Sequence, residues 1–502
     1  MDFVDSVKAA RRVSTPILAV QTADQQAIQA RLVAACNGSA PCVRHDVVKG
    51  FAPLNDAGLV VVAGLGDEER QESVNPVTAL VMAEKFPSGT MLLLHNAHRY
   101  LNQEPAVSQA IANLRDKFKS DRRTLVLMGP HFTLPSELQP DVVTLSEELP
   151  CDEALREISW QLFEAAGLAS PTIEILDRTV DTVRGLSAFA AEQVIAMSLT
   201  KAGIDLDAAW ERKRAAVNQT PGLSIARSSV TFDSIGGQSQ VIKFARAFQS
   251  GPRAPRVIVR VEEIEKMVAG AGFGSGVGDS SGVSQYQIGK LLTAMEEKSW
   301  TGLIATGPAG CGKSLMASAW GGTFGLPTIE LDLGAMKGSL VGESEANTNR
   351  VLDVIEAIGG DRVLLVATCN RLEALPAELR RRFRLGVWYF DLPTDGEKPG
   401  IWKLQRKAHS IPPQYKNPPD KDWTGAEIRN ACEQAFALDI GLIEAAEFVI
   451  PMMVSQPEVV DKLRRIADGR FFNAAAPGAY RYKAGVNFAD AADGGRKIAL
   501  KE

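Results

Sequence analysis

The sequence predicts an α/β protein organised twice over: an α/β region followed by helices, then a second α/β region followed by helices. Three observations carry this expectation. Short apolar runs rich in leucine and β-branched residues alternate with helix-period segments over residues 1–150 and again over residues 232–393. Residues 151–217 and 394–470 show helical periodicity only. The second α/β region holds a glycine-rich, lysine-bearing loop between an apolar run and a helix, the setting of a P-loop nucleotide site. Strands that alternate with helices form a parallel sheet covered on both faces.

In the first region, strands are expected at residues 16–21 (PILAVQ), 58–63 (GLVVVA), 90–95 (TMLLLH) and 124–128 (TLVLM), with helices over residues 23–35 and 108–119. Residues 218–231 (NQTPGLSIARSSVT) are polar around a Pro-Gly turn and read as a linker. In the second region the strands are RVIVRV, TGLIATG, PTIELDL, DRVLLVATCN and VWYFDLP. Residues 471–502, rich in alanine, glycine and charge, read as a C-terminal extension.

Composition narrows the function. The 502 residues suffice for about three domains, and 45% apolar with 23% charged residues allows a sizeable core. Lys+Arg total 55 against 60 Asp+Glu, a net charge of -5, which argues against a surface coated in positive charge for duplex DNA but leaves room for a local basic channel. The six cysteines form no CxxC pair and the five histidines are dispersed, so a disulfide scaffold and a zinc site are both disfavoured. The N-terminus lacks the long apolar core of a signal peptide. Residues 436–454 carry Asp439, Glu444 and Glu447, and read as a buried helix rather than a membrane span. A soluble, cytoplasmic protein without membrane partners is expected.

The loop Gly307-Pro308-Ala309-Gly310-Cys311-Gly312-Lys313-Ser314 fits GxxxxGK[ST], follows Leu303-Ile304-Ala305 and runs through Leu315 into a helix-forming segment. Glycines let backbone N–H groups curl around a polyphosphate, and the helix N-terminus adds the positive end of its dipole. Lys313 would reach the β- and γ-phosphates, and the Ser314 hydroxyl would ligate Mg²⁺. ATP and Mg²⁺ are therefore the expected ligands of residues 307–315.

What surrounds this loop resembles the AAA+ ATPases. VLLVATCNRLEALPAELRRRF is similar to the family's stretch bearing sensor 1 and the arginine fingers. The resemblance implies that Asn370 orients the attacking water and that Arg382, or next Arg381, reaches the nucleotide of a neighbouring subunit. The segment is shorter than the family's LLRxGRF pattern, so the choice among Arg380, Arg381 and Arg382 stays open. FDSIGG at residues 232–237 resembles FDDIGG and implies that Ile235 and Gly236 lie near adenine. WTGAEI at residues 423–428 resembles the FSGAEI of the helical lid and implies that Gly425 and Ala426 lie beside the nucleotide. With LVGESE at residues 340–345, the resemblance covers residues 230–470.

One motif is out of order. Such an ATPase needs a Walker B strand ending in an acidic pair, usually placed between the helix after LVGESE and sensor 1. Here that helix runs straight into DRVLLVATCN. VIVRVEEIEKM, at residues 257–267, looks like the missing hhhhDEIDK, and QYQIGKLLTAMEEKSW looks like the helix that follows it. The strand–helix unit therefore precedes the P-loop, a circular-permutation-like arrangement. A strand order of 5-1-4-3-2 would preserve its central place. Glu262 would replace the usual Asp near Mg²⁺, its extra methylene tolerated because Mg²⁺ keeps several waters. Glu263 would be the general base or water-polarising group.

Residues 1–217 look like a degenerate AAA-like module with its own helical part at 151–217. No GxxxxGK follows PILAVQ, and His95 and Asn96 stand where an acidic pair would be. His95 and His98 have no further clustered ligand and read as structural. The whole resembles a cyanobacterial and chloroplast-encoded AAA family with a P-loop-less N-terminal domain. That resemblance implies a homo-oligomeric, hexameric ring. Residues Leu340-Val341-Gly342 fall at pore loop 1, without the aromatic that peptide-threading members carry, and residues 269–284 fall at pore loop 2. The charge balance favours remodelling of protein substrates. A single-stranded nucleic-acid motor or annealing factor and a nucleotide-gated structural ring are the alternatives.

Overall fold

The computed structural model describes residues 3–482 except 23, 37–39, 102–103, 131, 133, 221, 267–282, 333–334, 336–342, 372, 374 and 376. The chain divides into two compact units, Met1–Gln219 with Lys337–Ala357, and Thr220–Met336 with Ile358–Glu502.

The first unit is built on six strands: β1 (Ile17–Gln21), β2 (Cys42–Asp46), β3 (Gly50–Pro53), β4 (Met91–Leu94), β5 (Thr124–Gly129) and β6 (Val142–Ser146). Their order is β3-β2-β4-β5-β1-β6, with only β3 antiparallel to its neighbour. With β3 set aside, the five parallel strands read 5-1-4-3-2 in chain order. Residues alternate between two buried clusters, Ile17, Ala19, Leu92 and Leu125 in one and Leu18, Val20, Leu93 and Val126 in the other. Both faces of the sheet are covered, which is why these strands are apolar without a break. Helices Asp152–Ala165, Ile173–Val183, Ala188–Ala196 and Leu206–Val217 follow, with a small antiparallel ribbon of β7 (Leu199–Thr200) and β8 (Gly203–Ile204) among them.

Residues 58–63 are not a strand. They lie in the helix Asp56–Ala63, whose N-cap Asn55 accepts from the Gly58 N–H. Val62 is buried while Leu59 and Val60 are 54% and 73% exposed. The Val-Val-Val run mimics a strand by composition, but the Asn-Asp start supplies the cap and acidic first turn of a helix. The strands β2, β3 and β6 escaped notice because each carries polar or proline positions.

The second unit holds β9 (Leu223–Arg227), β10 (Val257–Val261), β11 (Thr301–Thr306), β12 (Pro327–Leu331), β13 (Val363–Cys369), β14 (Val387–Tyr389) and β15 (Phe472–Asn473). Their order is β15-β14-β11-β13-β10-β12-β9. All neighbours are parallel except β9 against β12. β10 thus lies between β13 and β12, with Val259 opposite Leu365 on one side and Ile329 on the other. Ile258, Leu303, Ala305 and Val366 pack with Met316 and Trp320 of the helix Lys313–Phe324. A lid of helices Lys398–Ala408 and Gly425–Leu438 closes on its own cluster around Trp402, Trp423 and Ile428.

Two further expectations are corrected. Part of the segment read as a linker is β9, an edge strand whose Leu223 and Ile225 are buried. The alternation Leu-Ser-Ile-Ala-Arg suits an edge strand with one wet face, which polar composition alone conceals. Residues 436–454 are not one buried helix. The helix Gly425–Leu438 stops at Asp439, which takes the left-handed C-cap conformation, and Phe448, Ile450 and Val454 are exposed. Among the described residues, no helix is long and apolar enough to cross a membrane.

The helix at residues 56–63 can be checked directly. In a strand, positions 60 and 62 share a face; in a helix they oppose. Val60→Lys should change urea-unfolding stability by no more than about 0.5 kcal/mol, whereas Val62→Lys should cost about 2 kcal/mol or more. Equal losses at both sites would contradict the helix.

Candidate nucleotide site

Parallel strands present their C-terminal ends along one sheet edge, and that edge is where loops bind ligands in open α/β sheets. The ends of β11, β10 and β13 are here the P-loop, the acidic run at residues 262–265 and Asn370.

The P-loop shape depends on glycine. Gly307 has a φ of 142°, and a Cβ there would sit 2.0 Å from the Phe390 carbonyl oxygen. Gly310 and Gly312 also have positive φ, 79° and 84°. A Cβ on Gly310 would come within 2.8 Å of the Ala426 Cβ, and the Ala426 N–H donates to the Gly310 carbonyl at 3.1 Å. The lid's Gly425–Ala426 turn therefore rests on the loop. Thr424 caps the lid helix in a reciprocal box with the buried Glu427, whose other oxygen accepts from the Met452 N–H at 2.6 Å.

Lys313 is buried, and its ammonium donates to the Gly307 and Pro308 carbonyls at 2.8 and 2.7 Å. Burial pushes its pKa below the ordinary lysine value, and the neighbouring Glu265 and Glu263 carboxylates oppose that fall. Cys311 is buried and its thiol is pushed up to about 12, so it is an inert packing residue.

At the end of β10, Glu263 has a φ of 49°. This left-handed conformation costs a side-chain-bearing residue about 1–2 kcal/mol. Two bonds hold it. Its N–H donates to the Thr368 Oγ1 at 3.0 Å, and its carboxylate accepts from the Asn370 Nδ2 at 3.1 Å. Lys266 forms an ion pair with the same carboxylate. Glu265 is buried. One of its oxygens accepts from the Asn370 N–H at 3.0 Å, while its Oε2 is a buried oxygen with no hydrogen-bond partner among the described residues. Glu262 faces Arg260 at 3.6 Å, and Arg260 in turn reaches Glu330 at 2.8 Å and the Ser318 hydroxyl at 3.1 Å. The arginine inside β10 is thus a partnered side chain on the face of the P-loop helix.

A cavity of about 560 Å³ opens beside the loop, lined by Ile235, Gly236, Gly310, Gly312, Ser314, Leu315, Gly425 and Ala426. Its size suits a small-molecule ligand. A Cβ on Gly236 would approach the Ile401 side chain to 2.5 Å, so the Ile235–Gly236 segment lies against the lid's first helix. Of the expected nucleotide residues, these eight share one cavity, and Gly307, Pro308, Ala309, Cys311 and Lys313 are not in its lining. Glu262, Glu263, Asn370, Arg381 and Arg382 also lie outside its lining.

Arg382, in the helix Ala377–Arg382, forms an ion pair with Glu296 of the same chain. Arg381 is exposed and has no ion pair or hydrogen bond among the described residues. Both expected pore-loop segments, 269–284 and 340–342, fall outside the described residues apart from the backbone at 283–284. Sequence reasoning missed Glu265, although the third acid of VEEIEK was in view. It also missed Gln238, whose side-chain amide donates to the Cys311 carbonyl at 2.5 Å and whose N–H donates to Glu397 at 3.0 Å.

The residues fit a bound polyphosphate and divalent cation. Three positive-φ glycines form the cradle, a lysine is parked on the loop's own carbonyls, and the buried Glu265 Oε2 has no hydrogen-bond partner among the described residues. In the first unit the ends of β1 and β4 carry paired polar side chains and no GxxxxGK loop. Gln25 exchanges hydrogen bonds with Asn96 at 2.9 and 3.1 Å, His95 contacts Gln29 at 3.1 Å, and the Asp24 carboxylate caps the helix that follows β1. No cluster of three or more potential metal ligands occurs among the described residues, His95 and His98 included.

Comparison with known proteins agrees with this division. Residues 3–146 match the family model "SpoVK-like AAA ATPase, N-terminal domain", and residues 303–361 match "ATPase family associated with various cellular activities (AAA)". The chain is 22% identical to a protein of Guillardia theta named "Uncharacterized AAA domain-containing protein ycf46", with 93% of this chain and 92% of that protein aligned. Proteins of the same name from Pyropia yezoensis and Trieres chinensis are 22% and 23% identical, covering 95% and 66% of this chain and 100% and 68% of theirs. With a P-loop module behind a P-loop-less unit, the chain is similar over nearly its whole length to AAA domain-containing proteins of the ycf46 type.

Proposed function

We propose that this protein hydrolyses ATP with Mg²⁺ in the cavity beside residues 307–315. The observation that carries the reading is the Asn370–Glu263 hydrogen bond of 3.1 Å at the strand edge that also bears the buried Lys313. Lys313 exchanges its loop carbonyls for the β- and γ-phosphates, while Ile235, Gly236 and Ala426 enclose the base. Ser314 would hold the Mg²⁺ shell together with Glu262, which first has to leave Arg260. Bound Mg²⁺ supplies charge neutralisation on the transferring phosphoryl group. Glu263 polarises the attacking water and Asn370 fixes its orientation. The Walker B unit is read as relocated upstream of the P-loop. In support, the AAA match ends at residue 361, where the usual chain order would bring the acidic strand.

Copies assemble into a ring, a hexamer, so that an arginine from one subunit reaches the next subunit's nucleotide. Arg381 is unencumbered for that task, and Arg382 would first have to leave Glu296. Turnover in such a ring remodels a protein substrate or complex. The net charge of -5 favours that over the alternative of a single-stranded nucleic-acid motor. A nucleotide-gated structural ring is the remaining alternative, distinguished by assembly without stimulated turnover.

Lys313→Ala should abolish binding of a fluorescent ATP analogue. Glu263→Gln should keep that binding and lose at least about a hundredfold in phosphate release. Hydrolysis at the wild-type rate in Glu263→Gln would reject the relocated acidic pair.

Arg381→Ala and Arg382→Ala rings should each bind ATP, and the variant lacking the finger should lose turnover. Mixing that variant with Glu263→Gln subunits should restore part of it. No recovery in either mixture would show that the site is not shared.

A further inference from the structure

The same cavity has a second wall, made by the C-terminal segment rather than by any element of the AAA+ resemblance. Ala474, Ala475, Tyr480 and Tyr482 line it together with Gly310 and Gly312 of the glycine loop. This segment is built into the sheet. β15 adds parallel to β14, with Trp388 opposite Phe472 and Tyr389 opposite Asn473, and the Ala474 N–H donates to the Tyr389 carbonyl at 3.1 Å.

It is also bonded to the stretch that follows Ile235–Gly236. The Ala474 carbonyl accepts from the Gln240 and Val241 N–H groups at 3.1 and 3.0 Å, satisfying two donors at the start of the helix Ser239–Gln249. The Ser239 hydroxyl donates to the Ala475 carbonyl at 2.8 Å. These bonds tie the segment to residues 239–241, directly after the Ile235–Gly236 stretch that is read as lying beside the base.

A second anchor comes from Tyr480. Its ring lies 4.4 Å from that of Tyr389, and its hydroxyl donates to the Asp391 carboxylate at 2.5 Å. Arg464 donates to the same carboxylate at 2.9 and 3.2 Å. The preceding residue, Phe390, has its carbonyl against Gly307 of the P-loop. One backbone step therefore separates the tyrosine lock from the first glycine of the phosphate cradle.

We infer that residues 472–482 are part of the nucleotide site, forming the wall that encloses the nucleoside end of a purine nucleoside di- or triphosphate through Ala474–Ala475 and the Tyr480–Asp391 lock. The inference rests on the reading of this cavity as the ATP site. The occupant and the segment then stabilise each other, because a ligand that contacts both walls is bound only while the segment stays docked, and opening of the segment is suppressed while the ligand is bound.

Two measurements on the full-length chain test this, with mant-ADP and Mg²⁺ as the probe. Saturating mant-ADP should slow amide hydrogen exchange at residues 474–482 at least tenfold. Tyr480→Ala should weaken mant-ADP binding at least fivefold, and Tyr480→Phe, which keeps the ring and loses only the bond to Asp391, should fall between it and wild type. A structural role alone would change neither the ligand-dependent exchange nor the ranking of the two variants. If the wild-type chain binds mant-ADP while exchange at 474–482 is unaltered and both variants bind like wild type, the C-terminal wall is overturned and the ATP site stands. If the wild-type chain binds no mant-ADP, the site reading fails and the wall fails with it.

Discussion

The backbone pairing of β10 on both of its sides is the constraint on which the second unit depends. A strand inside a parallel sheet has every amide and carbonyl to satisfy, and β10 does so between β13 and β12. That fixes its direction, and direction decides which end meets the P-loop. The acidic run at residues 262–265, the P-loop after β11 and Asn370 after β13 reach one edge because their strands run the same way. Chain order does not enter this geometry. A strand–helix unit can precede the P-loop and still deliver its carboxylates beside Lys313, provided its neighbours in the sheet are unchanged.

The polar interactions at that edge do two jobs. They hold Glu263 in a left-handed conformation that its side chain disfavours, and they align the amide of Asn370 with the carboxylate. A strained residue persists where its surroundings over-determine it, and here the Thr368 hydroxyl and Asn370 amide are those surroundings. Buried Glu265 adds a second tether through the Asn370 N–H. Positioning of the acid and of the amide is thereby coupled, so neither can be displaced without the other.

The first unit carries a parallel sheet of its own with none of this chemistry. Its sheet is sealed by apolar clusters on both faces, a property indifferent to what the loops contain. Where the second unit holds a lysine and carboxylates, the first has the side-chain pairs Gln25–Asn96 and His95–Gln29. The packing of the sheet does not depend on which residues stand at its ends.

The sequence by itself determined the α/β alternation, the P-loop from Gly307 to Ser314 and the acidic character of residues 262–265. Each is written locally, in runs, spacings and glycine positions. Only the tertiary structure decided that β10 lies between β12 and β13, that Asn370 meets Glu263, and that residues 472–482 line the cavity. These are contacts between residues about seventy positions apart or more, or placements of a short polar strand at an edge, and no local pattern encodes them. The same limit explains the misread segments. A valine run at residues 58–63 folds as a helix because Asn55 caps it, and a polar stretch at residues 223–227 becomes a strand because β12 offers it an edge.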